Sequence, residues 1–157
     1  RFGTDPLAIT FCIQHEGQEL PYYAVGWETE YVSASPMDRV IKMITRLWDD
    51  NMAVYRSLTA EQKRLVLVIP YEDFIQHPSV FLNPVGDFLG SAPTRHTKST
   101  LKRQGCPRTL SADGVTRRRS EIANRATPQD MVQVERLIKE FESLREESLQ
   151  NLAVDGG

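Results

Sequence analysis

Five consecutive apolar residues, Leu65-Val66-Leu67-Val68-Ile69, closed by Pro70, constrain this chain more than any other stretch of it. The run has the length of a strand, is rich in β-branched side chains and shows no polar alternation. It therefore suits a strand buried on both faces, as in a parallel α/β sheet. Such a strand needs neighbours, because a buried backbone N–H or C=O without a partner costs about 1–3 kcal/mol. No second run of this kind is recognisable. The expected architecture is mostly helices around one buried parallel strand, its partner strands lying outside the chain or unrecognised within it.

The helices are marked by periodicity and by their starts. Ser35-Pro36 precedes Met37, Val40, Ile41, Ile44, Leu47, Trp48, Met52 and Tyr55, the three-and-four spacing of an amphipathic helix. Thr127-Pro128-Gln129-Asp130 opens a long final helix whose stripe runs from Met131 through Val134, Leu137, Ile138, Phe141 and Leu144 to Leu152. A third helix is predicted over residues 79–89, stopped by Gly90, with Pro84 expected to kink or divide it. Asp5-Pro6 followed by Leu7, Ala8, Ile9, Phe11, Cys12 and Ile13 reads as a short helix ending at Gly17. Residues 18–36 have no sustained period and read as an aromatic-rich loop.

At 157 residues, 40% hydrophobic and 25% charged, the chain has the size and composition of a single globular domain over 1–157. No apolar run approaches the roughly 20 residues that span a bilayer, so a soluble chain with no membrane partner is expected. Two cysteines, Cys12 and Cys106, fit neither a disulfide framework nor a metal cluster. They lean towards a reducing, cytoplasmic setting, and no metal is expected. The net charge of −2 conceals an asymmetry, because residues 95–125 hold nine basic side chains against Asp113 and Glu121. A segment of +7 inside an otherwise acidic chain suits a phosphorylated ligand or nucleic acid, or a solvated loop.

Val68-Ile69-Pro70-Tyr71-Glu72-Asp73-Phe74, then His77-Pro78, then Phe88-Leu89-Gly90, resembles a sulfotransferase pattern of apolar strand, Tyr-Glu-Asp-Phe, proline and a helix ending in Phe-Leu-Gly. Asp5-Pro6-Leu7-Ala8 resembles the family's Arg-Asp-Pro segment, and Lys102-Arg103-Gln104-Gly105 its basic loop. The resemblance covers most of residues 4–110. It implies a partial P-loop-type α/β fold and transfer of a sulfuryl group from 3′-phosphoadenosine 5′-phosphosulfate to an acceptor hydroxyl or amine that the sequence does not identify. The amino-terminal loop that holds the 5′-phosphosulfate in the family has no counterpart here. The resemblance thus implies a carboxyl-terminal portion, with the chain alone inactive or nearly so and prone to self-association.

By the same resemblance, Arg103, Gly105 and Lys102 would bind the donor's 3′-phosphate; Tyr71 suits a place near the nucleotide base or in the core equally. A guanidinium offers two charge-assisted hydrogen bonds, and glycine lets the backbone turn close to an anion. Thr4 and Cys12 stand where the family places the arginine and serine of its 3′-phosphate site. Neither supplies a guanidinium fork, and both also suit structural roles, as helix cap and small core residue. Arg108 is a further candidate on the basic loop. Glu72 and Asp73 beyond the apolar run suit a helix start, and His15 is the candidate general base. Two other classes remain open, a nucleic-acid-binding module built on 95–125 and a helical interaction protein built on the final helix. The absence of aromatics from 95–125 leaves the former without a stacking platform.

Overall fold

The computed structural model describes residues 11–154. Chain order gives β1 (Cys12–His15), β2 (Gln18–Pro21), α1 (Glu28–Ser33), α2 (Pro36–Ser57), α3 (Ala60–Lys63), α4 (Tyr71–Gln76), α5 (Pro78–Leu89), α6 (Thr97–Arg103), α7 (Ala112–Ala123) and α8 (Pro128–Val154).

The pairing of α2 with α8, which run side by side in the same direction from adjoining starts, forms the frame. Each helix begins where its cap predicts. The Ser35 hydroxyl accepts from the Asp38 N–H at 3.2 Å, and the Thr127 hydroxyl accepts from the Asp130 N–H at 3.2 Å. The two starts are joined, since the Thr127 N–H donates to Asp38 Oδ1 at 2.9 Å. Further along, Trp48 meets Phe141 edge-on with centroids 6.4 Å apart, and its indole N–H donates to Glu140 at 2.9 Å. Arg136 bridges Asp49 and Glu140. The apolar stripe of α8 is only half-buried, so this pairing depends heavily on polar ties.

At the amino-terminal end, β1 and β2 form an antiparallel hairpin with Ile13 opposite Leu20 and His15 opposite Gln18. Glu16 and Gly17 both take positive φ, 48° and 79°, the pair required by a two-residue turn that matches strand twist. The helix expected up to Gly17 is therefore wrong over Cys12–His15. An Asp-Pro start fixes where a helix can begin but not how far it runs, and the short alternation on either side of Glu16-Gly17 favours strands. The preceding Asp5-Pro6 segment lies outside the described residues. Residues 18–36, expected as loop, contain β2, a 3₁₀ turn over Tyr22–Ala24, and α1. They are ordered by buried Trp27, whose indole N–H donates to the Tyr23 carbonyl at 2.7 Å and whose ring meets Tyr31 edge-on. The Arg39 guanidinium lies 4.8 Å from the Tyr31 ring centre.

Among the described residues the buried hydrophobic side chains are Leu20, Ala24, Trp27, Ile41, Ile75 and Phe81. They come from the hairpin end, α2 and the α4–α5 corner, where Phe74 and Phe81 meet edge-on. Within α5 the helix continues through Pro84 and is not divided there, and Gly90 closes it in the left-handed region at φ 63°.

The largest departure concerns Leu65–Ile69. Among the described residues the sole sheet is the hairpin, and this run pairs with no strand. Leu65 is 78% exposed and Val66 42%, with Leu67 to Ile69 half-buried. The expected α/β fold, a partial P-loop-type sheet with a buried parallel strand, is overturned by a mainly helical architecture. Branched apolar residues suit a buried strand, but burial on two faces also requires pairing backbone, which the described residues do not supply. The basic 95–125 stretch, expected as loop, contains α6 and α7, the latter capped by Ser111.

Candidate functional site

Five cations that make no ion pair among the described residues lie on and around α6. Lys102 and Arg103 occupy its last turn, where cations complement the carbonyl end of the helix dipole. The turn closes through Gly105 N–H to the Lys102 carbonyl at 3.0 Å and Cys106 N–H to the Leu101 carbonyl at 2.9 Å. Gly105 reverses the chain at φ 69°, which a side chain would strain. The Arg108 guanidinium then reaches back to the Gln104 carbonyl at 2.8 Å, holding the loop shut over the glycine. One further bond places the loop in the fold: the Arg108 N–H donates to the carbonyl of buried Ile75, near the end of α4, at 2.8 Å.

Electrostatics divide the basic stretch in two. In α7, Arg117 lies 3.8 Å from Glu121 and Arg119 lies 2.6 Å from Glu135 of α8. Arg95, Lys98, Lys102, Arg103 and Arg108 make no ion pair among the described residues. Arg118 and Arg125 make none either, but the five exposed cations around α6 differ in flanking a pinned loop, an arrangement suited to an anion.

The structure brings Lys102, Arg103 and Gly105 together on this loop and attaches them to α4. Tyr71 is exposed at the first position of that helix, so the segments resembling Tyr-Glu-Asp-Phe and the basic loop are neighbours through the Arg108–Ile75 bond. Thr4 lies outside the described residues. Cys12 is exposed on β1. His15 ends β1 half-buried, near Glu28, and no hydrogen bond links it to the basic loop among the described residues. Hydrogen bonds from the backbone N–H groups of Gly26 and Glu28 hold the Glu28 carboxyl below its usual range, His15 adding a smaller effect.

Asp73 has a definite partner that sequence reasoning missed. The Arg145 guanidinium donates to both its oxygens, each at 2.6 Å, and holds its carboxyl below the usual range. Asp73 thereby ties α4 to α8, and nothing in the sequence marked Arg145. Two further acids, Asp38 and Asp130, are buried where the starts of α2 and α8 meet. Hydrogen bonds from the Ser35 hydroxyl and the Thr127 N–H hold Asp38 low, whereas burial pushes Asp130 up. Lys42 lies nearby and is paired with Glu30.

No group of His, Cys, Asp and Glu among the described residues could hold a metal ion, and no described helix is long and apolar enough to cross a membrane. No family model matches the chain, nor does any curated protein or solved structure.

Proposed function

We propose that the chain is the carboxyl-terminal part of a sulfotransferase and that its α6 loop holds the 3′-phosphate of 3′-phosphoadenosine 5′-phosphosulfate. The observation carrying this reading is the hydrogen bond from Arg108 N–H to the Ile75 carbonyl, which sets the Lys-Arg-Gln-Gly turn beside the Tyr-Glu-Asp-Phe helix. Two sequence segments resembling one family are thus adjacent in space. Arg103 supplies a guanidinium to phosphate, Lys102 a point charge, and Gly105 the turn that keeps backbone close.

In the reaction the acceptor oxygen or nitrogen forms a bond to sulfur while the bond from sulfur to the 5′-phosphate oxygen breaks, and the acceptor loses its proton. This chain's share is positioning, which converts an encounter of two reactants into a step between held groups. Among the described residues no hydrogen bond links His15 on the hairpin to the loop, so binding is the property to assay.

The test is calorimetry with 3′-phosphoadenosine 5′-phosphate. A hydrogen bond to a charged group contributes about 1.5–3 kcal/mol, so Arg103→Ala should weaken binding about tenfold or more. Arg118→Ala should leave it within about twofold, since Arg118 lies outside the Lys-Arg-Gln-Gly turn and charge not in contact with the phosphate is screened. Adenosine 5′-phosphate, without the 3′-phosphate, should bind wild type about as weakly as the full ligand binds Arg103→Ala. Equal losses from the two arginines, or indifference to the 3′-phosphate, would overturn the reading. A nucleic-acid module would instead favour long single or double strands with a steep salt dependence.

A further inference from the structure

Between α3 and α4 the chain runs through a half-buried segment, beside Phe88 of α5 and Leu152 of α8, whose backbone finds few partners among the described residues. Leu65 and Val66 direct their N–H groups back to Gln62 and Lys63, but after them the N–H and C=O groups of Leu67, Val68 and Ile69 make no hydrogen bond among the described residues. The residues concerned are strongly strand-forming, and Pro70, itself extended at φ −63° and ψ 117°, keeps Ile69 out of the helical region. Leu65 and Val66 present apolar side chains to solvent beside this unsatisfied backbone. Open strand edges of this kind recruit another strand.

We propose that residues 65–69 pair antiparallel with the same segment of a second copy of this chain, about a two-fold axis at Leu67. In that register Leu65 faces Ile69, Val66 faces Val68 and Leu67 faces itself, so every cross-strand pair is apolar. The charges at the two ends select this orientation. Arg64 precedes the run and Glu72 follows it, and neither makes an ion pair within the chain among the described residues. Lys63, by contrast, lies over the Tyr55 ring, and Asp73 is held by Arg145. Antiparallel pairing brings Arg64 of each copy to the Glu72 end of the other, whereas parallel pairing would set Arg64 beside Arg64. The contact is isologous and closes at two copies. Being a short two-stranded ribbon, it forms a weak dimer.

The proposal does not depend on the nucleotide reading and is tested on the whole 157-residue chain by sedimentation over about a hundredfold concentration range. The expected result is a reversible monomer–dimer equilibrium, with amide exchange in 65–69 slowing as concentration rises. Arg64→Glu or Glu72→Arg alone turns two attractive contacts into repulsive ones and should weaken the dimer about tenfold. Combining the two variants should restore it, because the reversed pair re-forms between copies. Circular dichroism of each variant checks that the helices persist. A chain that stays monomeric throughout overturns the proposal, as does a dimer that ignores both single variants or is not rescued by the double one. Protection of 65–69 that is independent of concentration also overturns it, by showing that this chain covers its own edge.

Discussion

The joint between the starts of α2 and α8 allows two neighbouring aspartates to be assigned opposite effects on stability. Asp38, 5% exposed, accepts the Ser35 hydroxyl at 2.6 Å and the Thr127 N–H at 2.9 Å. Asp38→Ala removes both bonds and leaves the Thr127 N–H without its partner at a part-buried junction. Hydrogen bonds to a charged group contribute about 1.5–3 kcal/mol each and do not add fully, so a loss of about 3 kcal/mol is expected. For a chain of this size that lowers the melting midpoint by roughly 6–12 °C. Because the folded state depresses the Asp38 pKa, its contribution is present above about pH 4 and is lost as pH falls through the lowered value. Asp130, 4% exposed, behaves oppositely: burial raises its folded pKa, so its contribution is present at low pH and lost as pH rises through the raised value. At neutral pH its ionised form is a cost. Asp130→Asn removes that cost while its amide oxygen still accepts from the Thr127 hydroxyl, a bond of 3.0 Å in the native chain. The variant should therefore melt above wild type at pH 7 and lose this advantage in acid. Thermal melts by circular dichroism between about pH 3 and pH 8 check both signs. If Asp130→Asn is the more damaging change at pH 7, or Asp38→Ala moves the midpoint by less than about 2 °C, the joint does not work as argued.

Arg145→Ala should cost about 1–2 kcal/mol in urea unfolding, the half-exposed arginine being partly screened, and the loss should shrink in high salt and disappear in acid once Asp73 is protonated below its lowered pKa. Gly86→Ala should cost about 2 kcal/mol or more, because its Cβ would stand 2.6 Å from the Ser91 carbonyl oxygen in the turn that ends α5. An unchanged urea midpoint for Gly86→Ala would show that the turn gives way.

Much of the helical frame was legible in the chain. Ser35-Pro36, Thr127-Pro128 and Gly90 mark the start of α2, the start of α8 and the end of α5, because caps, proline and left-handed glycine act within a few residues. Gly105 was legible as a turn for the same reason, whereas Lys102 and Arg103, expected on a loop, close α6. α6 and α7 were missed because their charge and punctuation resemble a solvated loop; α7 is held at its start by the Ser111 cap, and neither carries a clear apolar stripe.

What the sequence determined by itself was local: where helices can start and stop, where cations crowd, and which five residues favour a strand. Whether that strand is built was a tertiary matter, since pairing depends on backbone elsewhere and the described residues place helices, not strands, around Leu65–Ile69. The ties that hold the frame are equally distant, Asp73 to Arg145 across 72 positions and Asp38 to Thr127 across 89. No local pattern specifies a partner that far away. A carboxylate in a first helical turn satisfies the same local rule whether it faces water or a guanidinium, and only the packing of α8 against α2 and α4 decides between them.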